Sequence, residues 1–121
     1  RQEIEPRAAL REARIIAALS LGTTASSILV ADEFTDFSLE KLFITNVTGG
    51  AVTFSIHVVP DGGAAVSGNA VIYQGALGAN DYLTVLEGLR LPSLSSIYAS
   101  CSLVDAVNVS GWGYDILGEY G

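Results

Sequence analysis

Alternation of apolar and polar residues is the dominant pattern in this chain. Over residues 52–59, Val52, Phe54, Ile56 and Val58 fall on one side of an extended backbone, and Thr53, Ser55, His57 and Val59 fall on the other. That is the period of a half-buried strand. A second β-branched and aromatic run ends at Asn46, and the two runs are joined by Asn46-Val47-Thr48-Gly49-Gly50, which predicts a hairpin within residues 42–63 closed by the turn Pro60-Asp61-Gly62-Gly63. Upstream the alternation slips: Phe37 and Leu39 share one parity, Leu42 and Ile44 the other. A bulge near Glu40 reconciles them.

The remaining runs follow the same logic. Extended segments are predicted from about Arg14 to Leu21, over Ser27 to Ala31, over Asn69 to Ala76 with a bulge or strand end at Gly75, and over Tyr82 to Leu86 with a break at Glu87-Gly88 before Leu89 to Pro92. Ser96 to Leu103 and Val107 to Tyr114, joined by Val104-Asp105-Ala106, predict a second hairpin. Its return strand puts Trp112 and Tyr114 on one parity and Gly111 and Gly113 on the other, leaving room for close approach by a loop or another chain. Asp32 to Asp36 is an acidic loop that Phe34 and Phe37 are expected to anchor, and Asp115 to Gly121 a short acidic tail expected to be partly exposed. About eight strands at roughly ten-residue spacing predict an all-β domain, an antiparallel β-sandwich or small jelly roll, over residues 14–121. Residues 1–13 form an N-terminal arm, with a short helix or none. One helix from Pro6 to Leu19 is the competing reading, although Ile15-Ile16-Ala17-Ala18-Leu19 has no polar face.

At 121 residues the chain is one domain and large enough to bury a core. Its 16% charged residues are few for a solitary soluble protein, which points to a surface covered by neighbours. The net charge of −7 is unevenly placed. Residues 1–14 set Arg1, Arg7, Arg11 and Arg14 against Glu3, Glu5 and Glu12, while the rest sets only Lys41 and Arg90 against ten carboxylates. An acidic body is a poor match for phosphate neutralisation, so no direct nucleic-acid binding is expected. The terminal arginines suit an acidic partner surface, including another copy. No signal peptide and no run of about 18 apolar residues is present, so use without crossing a membrane is expected.

Candidate chemistry is sparse. His57 is the only histidine and has no nucleophile or carboxylate spaced to work with it, so an interface role on the outer face is expected rather than catalysis. With Cys101 the only cysteine, a zinc site and an internal disulfide are excluded, and its alternation with Ile97, Ala99 and Leu103 predicts a buried, inert thiol. The carboxylates of Asp32, Glu33, Asp36 and Glu40 lack the glycine turn of a calcium loop and read as a solvated loop. Asn46-Val47-Thr48 and Asn108-Val109-Ser110 fit the glycosylation triplet, but turn chemistry and strand pairing account for them better. No catalytic residue, metal or cofactor is expected.

Ile44-Thr45-Asn46, Thr48-Gly49-Gly50, the strand Val52 to Val59, Pro60-Asp61-Gly62-Gly63 and the following Ala70-Val71-Ile72 together resemble the small β-sandwich virion proteins of tailed bacteriophages, found as capsid decoration (cement) proteins or head and tail accessory proteins. The resemblance covers residues 14–114. It implies a non-enzymatic virion structural protein, assembled in the host cytoplasm as symmetric copies and bound to other virion proteins of the capsid, neck or tail. Arg1, Arg7, Arg11, Arg14, His57, Trp112 and Tyr114 are then the expected interface residues. The alternative is a glycan- or receptor-binding module of a phage fibre that uses Tyr98, Trp112 and Tyr114 on one face.

Overall fold

The computed structural model describes residues 10–117, apart from the side chains of Leu10, Ala17 and Leu117. Eight strands follow in order: β1 (Leu10–Ser20), β2 (Ser26–Val30), β3 (Asp36–Asn46), β4 (Val52–Val59), β5 (Ala70–Leu77), β6 (Tyr82–Leu91), β7 (Ser96–Cys101) and β8 (Val107–Leu117). A single 3-10 turn, Ser67–Asn69, precedes β5. The strands form two four-stranded sheets, β1-β8-β3-β6 and β2-β7-β4-β5, in which every pairing is antiparallel. The chain passes from one sheet to the other at every connection except β4–β5. Two interleaved four-stranded sheets with this order make an eight-stranded jelly roll.

The crossings correct both predicted hairpins. β3 pairs with β6 and β8, whereas β4 pairs with β5 and β7, so residues 42–63 span two sheets. β7 and β8 likewise lie in different sheets. Period-two alternation says which face of a strand is buried but not which strand lies beside it. The true hairpin is β4–β5, through residues 60–69.

Asn46 explains the crossing after β3. Its side chain is buried. Its Nδ2 donates to Gly50 O at 2.8 Å and Gly78 O at 2.9 Å, with Leu77 O at 3.4 Å, while Oδ1 accepts from Thr48 N–H at 2.9 Å and the Thr48 hydroxyl at 2.7 Å. The contact to residue i+2 is an Asx-type turn, and the contacts to Gly78 and Leu77 tie that turn to the β5–β6 connection. Backbone bonds complete the corner: Asn46 N to Asp81 O, Val47 N to Ala106 O and Asn80 N to Thr48 O. The amide needed for glycosylation at this triplet is therefore committed inside the fold.

The core lies between the sheets. Glu40 is the extra residue in β3, since the register with β8 shifts between Leu39 and Lys41. The bulge lets Phe37 and Leu39 before it, and Leu42 and Ile44 after it, all point inward and be fully buried. They meet Phe54 and Ile56 of β4 and Ile97 and Ala99 of β7 in one apolar cluster. Gly111 and Gly113 face this interior too. A Cβ on Gly111 would collide with the Lys41 carbonyl, and one on Gly113 with the Ser38 carbonyl and, at 2.6 Å, with the Phe37 ring. The close approach expected at these glycines is thus made by β3 of the same sheet.

Other boundaries shift for identifiable reasons. β1 starts at Leu10, so residues 10–13 of the predicted arm are strand paired to Leu117–Tyr114, and a helix over 10–19 does not form. β6 runs unbroken through Gly88, which takes up a left-handed φ of 67° within the strand. β8 runs to Leu117, with Asp115 buried rather than in a partly exposed tail. Gly75 sits at the predicted bulge, where Gln74 is left-handed and donates its N–H to Ser55 Oγ. Phe37 anchors the acidic loop, but Phe34, left-handed in the turn after Asp32, is 84% exposed. Leu103 lies half-exposed in the β7–β8 loop rather than inside.

Replacing Asn46 by Ala leaves the Gly50 and Gly78 carbonyls and the Thr48 N–H without their partner, an expected loss of about 3 kcal/mol in unfolding free energy. Asn46→Asp, which turns a charged acceptor toward those carbonyls, is expected to cost more. Urea unfolding measures both, and an unchanged midpoint for either variant contradicts the role given to this amide.

Candidate functional site

On β8, inward glycines at 111 and 113 alternate with outward Trp112 and Tyr114. The two rings meet edge to face, with centroids 5.6 Å apart and planes at 78°. Across the β1–β8 ladder Ala13 opposes Tyr114 and Ile15 opposes Trp112, while Arg11 places its guanidinium 5.4 Å from the Tyr114 centroid, a cation–π distance. Phe43 of β3, opposite Ser110, adds a third aromatic ring on the same outer face. Ala13, Ala18, Ile15, Phe43, Ser110 and Trp112 line a mostly apolar groove of about 520 Å³.

A second groove of about 490 Å³ opens between β1 and β2, the end strands of the two sheets, neither of which has a further strand beside it among the described residues. It is lined by Ile16, Leu19, Ile28, Leu29 and Val30. Ile15 borders both grooves and is 80% exposed. The register with β8 shifts between Ile16 and Leu19, so β1 is a regular strand over Leu10–Ile16 and bulged beyond it.

Arg14 does not belong to a cationic arm. It turns inward, and its Nη2 lies 2.9 Å from Asp115 Oδ1 and 3.3 Å from Val30 O, which ties β1 to β8 in its own sheet and to β2 in the other. The guanidinium stacks 4.8 Å from the Phe37 centroid. Its Nε is buried and has no hydrogen-bond partner among the described residues.

The other expected site residues separate. Arg1 and Arg7 lie outside the described residues. His57 is on the outer face of its sheet, as its parity predicts, but the β4–β5 connection covers it to 6% exposure. Its Nδ1 lies 3.0 Å from Val66 O and 3.1 Å from Asn69 Oδ1. Because Asn69 Oδ1 also accepts the Val66 N–H and Asn69 Nδ2 donates to Ala64 O, the amide orientation is set. Nδ1 facing two acceptors must carry the proton, so His57 fastens a loop and is not presented to a partner. Tyr98 pairs with His57 on β7, in the sheet opposite Trp112 and Tyr114, so the three-aromatic platform does not exist.

No protein-family model matches the chain and no curated protein sequence matches it, so the surface rests on its own residues. Acidic chemistry adds nothing there: Asp36 is engaged by Arg90 at 3.1 Å and by the Ser93 N–H at 3.2 Å, and Glu40 by the Ser38 hydroxyl at 3.2 Å. Among the described residues no three His, Cys, Asp or Glu side chains converge as a metal site. The Cys101 thiol is buried and lies 3.0 Å from the Leu103 carbonyl. Ile15, Phe43, Ala13 and Ala18 were missed as site residues. The signal was the run Ile15 to Leu19, apolar on both parities, which only a strand covered on both faces can bury.

Arg14→Met keeps an apolar side chain of similar length but removes the guanidinium from Phe37 and strands the Asp115 carboxylate, with an expected loss on the order of 1–3 kcal/mol in urea unfolding. Adding Asp115→Leu should recover much of it, because the buried charge is then gone. A double variant as unstable as the sum of its singles contradicts the pairing.

Proposed function

We propose that this chain is a non-enzymatic structural component of a tailed-bacteriophage virion, a capsid decoration (cement) or head–tail accessory protein that works as symmetric copies. The jelly roll serves viral capsid proteins but also lectins and enzymes, so the fold alone does not choose. The observation that carries the reading is the β1 edge. It is eleven residues long, ends its sheet among the described residues, and presents Ile15 between the mostly apolar Trp112 groove and the β1–β2 groove, which Arg14 and Asp32 also line, with no charged residue from Ile15 to Ser20. Proteins that work alone blunt such edges with charge, proline or a covering loop; on β1 the charges, Arg11, Glu12 and Arg14, are confined to the first half, and the second half carries only the bulge after Ile16.

Two further features support it. Strands β2, β4, β5 and β7 contain no Asp, Glu, Lys or Arg, so one whole sheet meets its surroundings through hydroxyls, Gln74, Tyr73, Tyr98 and the exposed Val30 and Val71. The partners proposed are other virion proteins and further copies of the chain, with no role for nucleic acid. The glycan-binding alternative retains only Trp112, 37% exposed, and Tyr114 edge-on beside it, a poor platform for a sugar ring.

Added to particles that lack it, the purified chain is expected to co-sediment with DNA-free capsids or tails up to a saturating number of copies, and to show no Trp112-dependent signal on a glycan array. Removing residues 1–9, which leaves β1 whole, tests the arm by the same sedimentation. A chain that stays in the supernatant at every concentration contradicts the virion reading, and unchanged saturation after the deletion removes the arm from it.

A further inference from the structure

We propose that β1 pairs with β1 of a second copy, antiparallel across a two-fold axis through Ala13, so that two β1-β8-β3-β6 sheets become one sheet of eight strands. This inference rests on the assembly reading above and names its first contact.

The edge itself supplies unpaired backbone donors and acceptors, the material of strand addition. Antiparallel self-pairing has one free parameter, the position of the axis. Partners across a ladder point to the same side of the sheet, so an axis through a residue, rather than between two, keeps the outer faces of both copies continuous. The regular part of β1 is Leu10–Ile16, and its midpoint is Ala13.

Charge selects the same axis. Through Ala13, Glu12 of each copy faces Arg14 of the other, twice by symmetry. An axis through Arg11, Glu12 or Arg14 sets like charge on like charge at its centre, which is destabilising. An axis through Ile15 sets Glu12 against Ala18, beyond the bulge. In the Ala13 register Arg14 has Asp115 on one side and the partner subunit's Glu12 on the other. It is also the residue whose Nε has no acceptor among the described residues.

Apolar burial follows from this register. Ile15 falls opposite the partner subunit's Arg11, whose guanidinium lies 5.4 Å from the Tyr114 centroid on the same outer face. An aliphatic arginine stem over an exposed isoleucine covers it while the guanidinium stays in water. The Ile15–Trp112 groove of each copy then runs into that of the other across the axis.

Analytical ultracentrifugation tests the pairing. The full chain is expected at twice its monomer mass, and Ile15→Lys, which changes an exposed side chain and should leave the thermal midpoint in place, is expected to raise the dimer dissociation constant about tenfold or more. Ala13→Cys should form a disulfide-linked dimer under mild oxidation, because residues facing each other across the ladder have Cβ atoms about 5 Å apart. Ser20→Cys, equally exposed on the same strand, should not. A monomeric chain, a dimer indifferent to Ile15→Lys, or equal cross-linking at 13 and 20 overturns the proposal. Particle sedimentation of the same variants separates it from the virion reading. A monomer that still loads particles overturns only the self-pairing, as does one whose loading Ile15→Lys abolishes, which assigns the edge to a different protein. A dimer with all three expected properties that loads no particle supports the pairing and removes the virion.

Discussion

The buried amide of Asn46 is the contact on which the architecture depends. A jelly roll differs from stacked hairpins only in where the chain changes sheet, and at a change of sheet the backbone leaves its ladder with polar groups still to satisfy. Asn46 meets that requirement for its own loop and for the β5–β6 connection, with Thr48, Gly50 and Gly78 bonded to one side chain. The β7–β8 loop joins through Val47 and Ala106. With that corner held, β3 is committed to β8 and β6, and β4 to β7 and β5.

The opposite requirement arises where β1 and β2 end the two sheets. Among the described residues no backbone ladder closes this side, and Arg14 spans it, bonded to Asp115 and to the Val30 carbonyl over the Phe37 ring. Because side chains alternate along a strand, an inward Arg14 forces Ile15 outward. The 80% exposure of Ile15 is thus a consequence of the ion pair that closes the sandwich. A structural tie and the proposed assembly surface are two faces of one dipeptide, and the proposed strand-edge pairing with a second copy would use both.

The strands were legible because burial on one face imposes alternation, and the β3 bulge was legible because Phe37, Leu39, Leu42 and Ile44 break parity at one place. Strand neighbours were not, since Val52 to Val59 would alternate in the same way beside β3 or beside β7. The role of Asn46 was hidden for the same reason: Asn-Val-Thr-Gly-Gly is turn-forming whether the chain folds back within a sheet or crosses to the other. At the surface, Trp112 and Tyr114 were recognisable from their parity against the glycines. That Arg14 is tied to Asp115 and Val30 was not legible, because charge composition reports the sign of a residue and not the side of the strand it faces. Tyr98 was grouped with Trp112 because sequence proximity between β7 and β8 conceals that they lie in different sheets.

The central claim is that an edge of this jelly roll is built for pairing with another copy. Amide hydrogen exchange at low and high protein concentration tests it most directly. The account predicts that amides of residues 11–16 which do not bond to β8 exchange freely in dilute solution and become protected as concentration rises, with the β3–β4 corner slow throughout. Protection that rises with concentration elsewhere while β1 stays unprotected would contradict it.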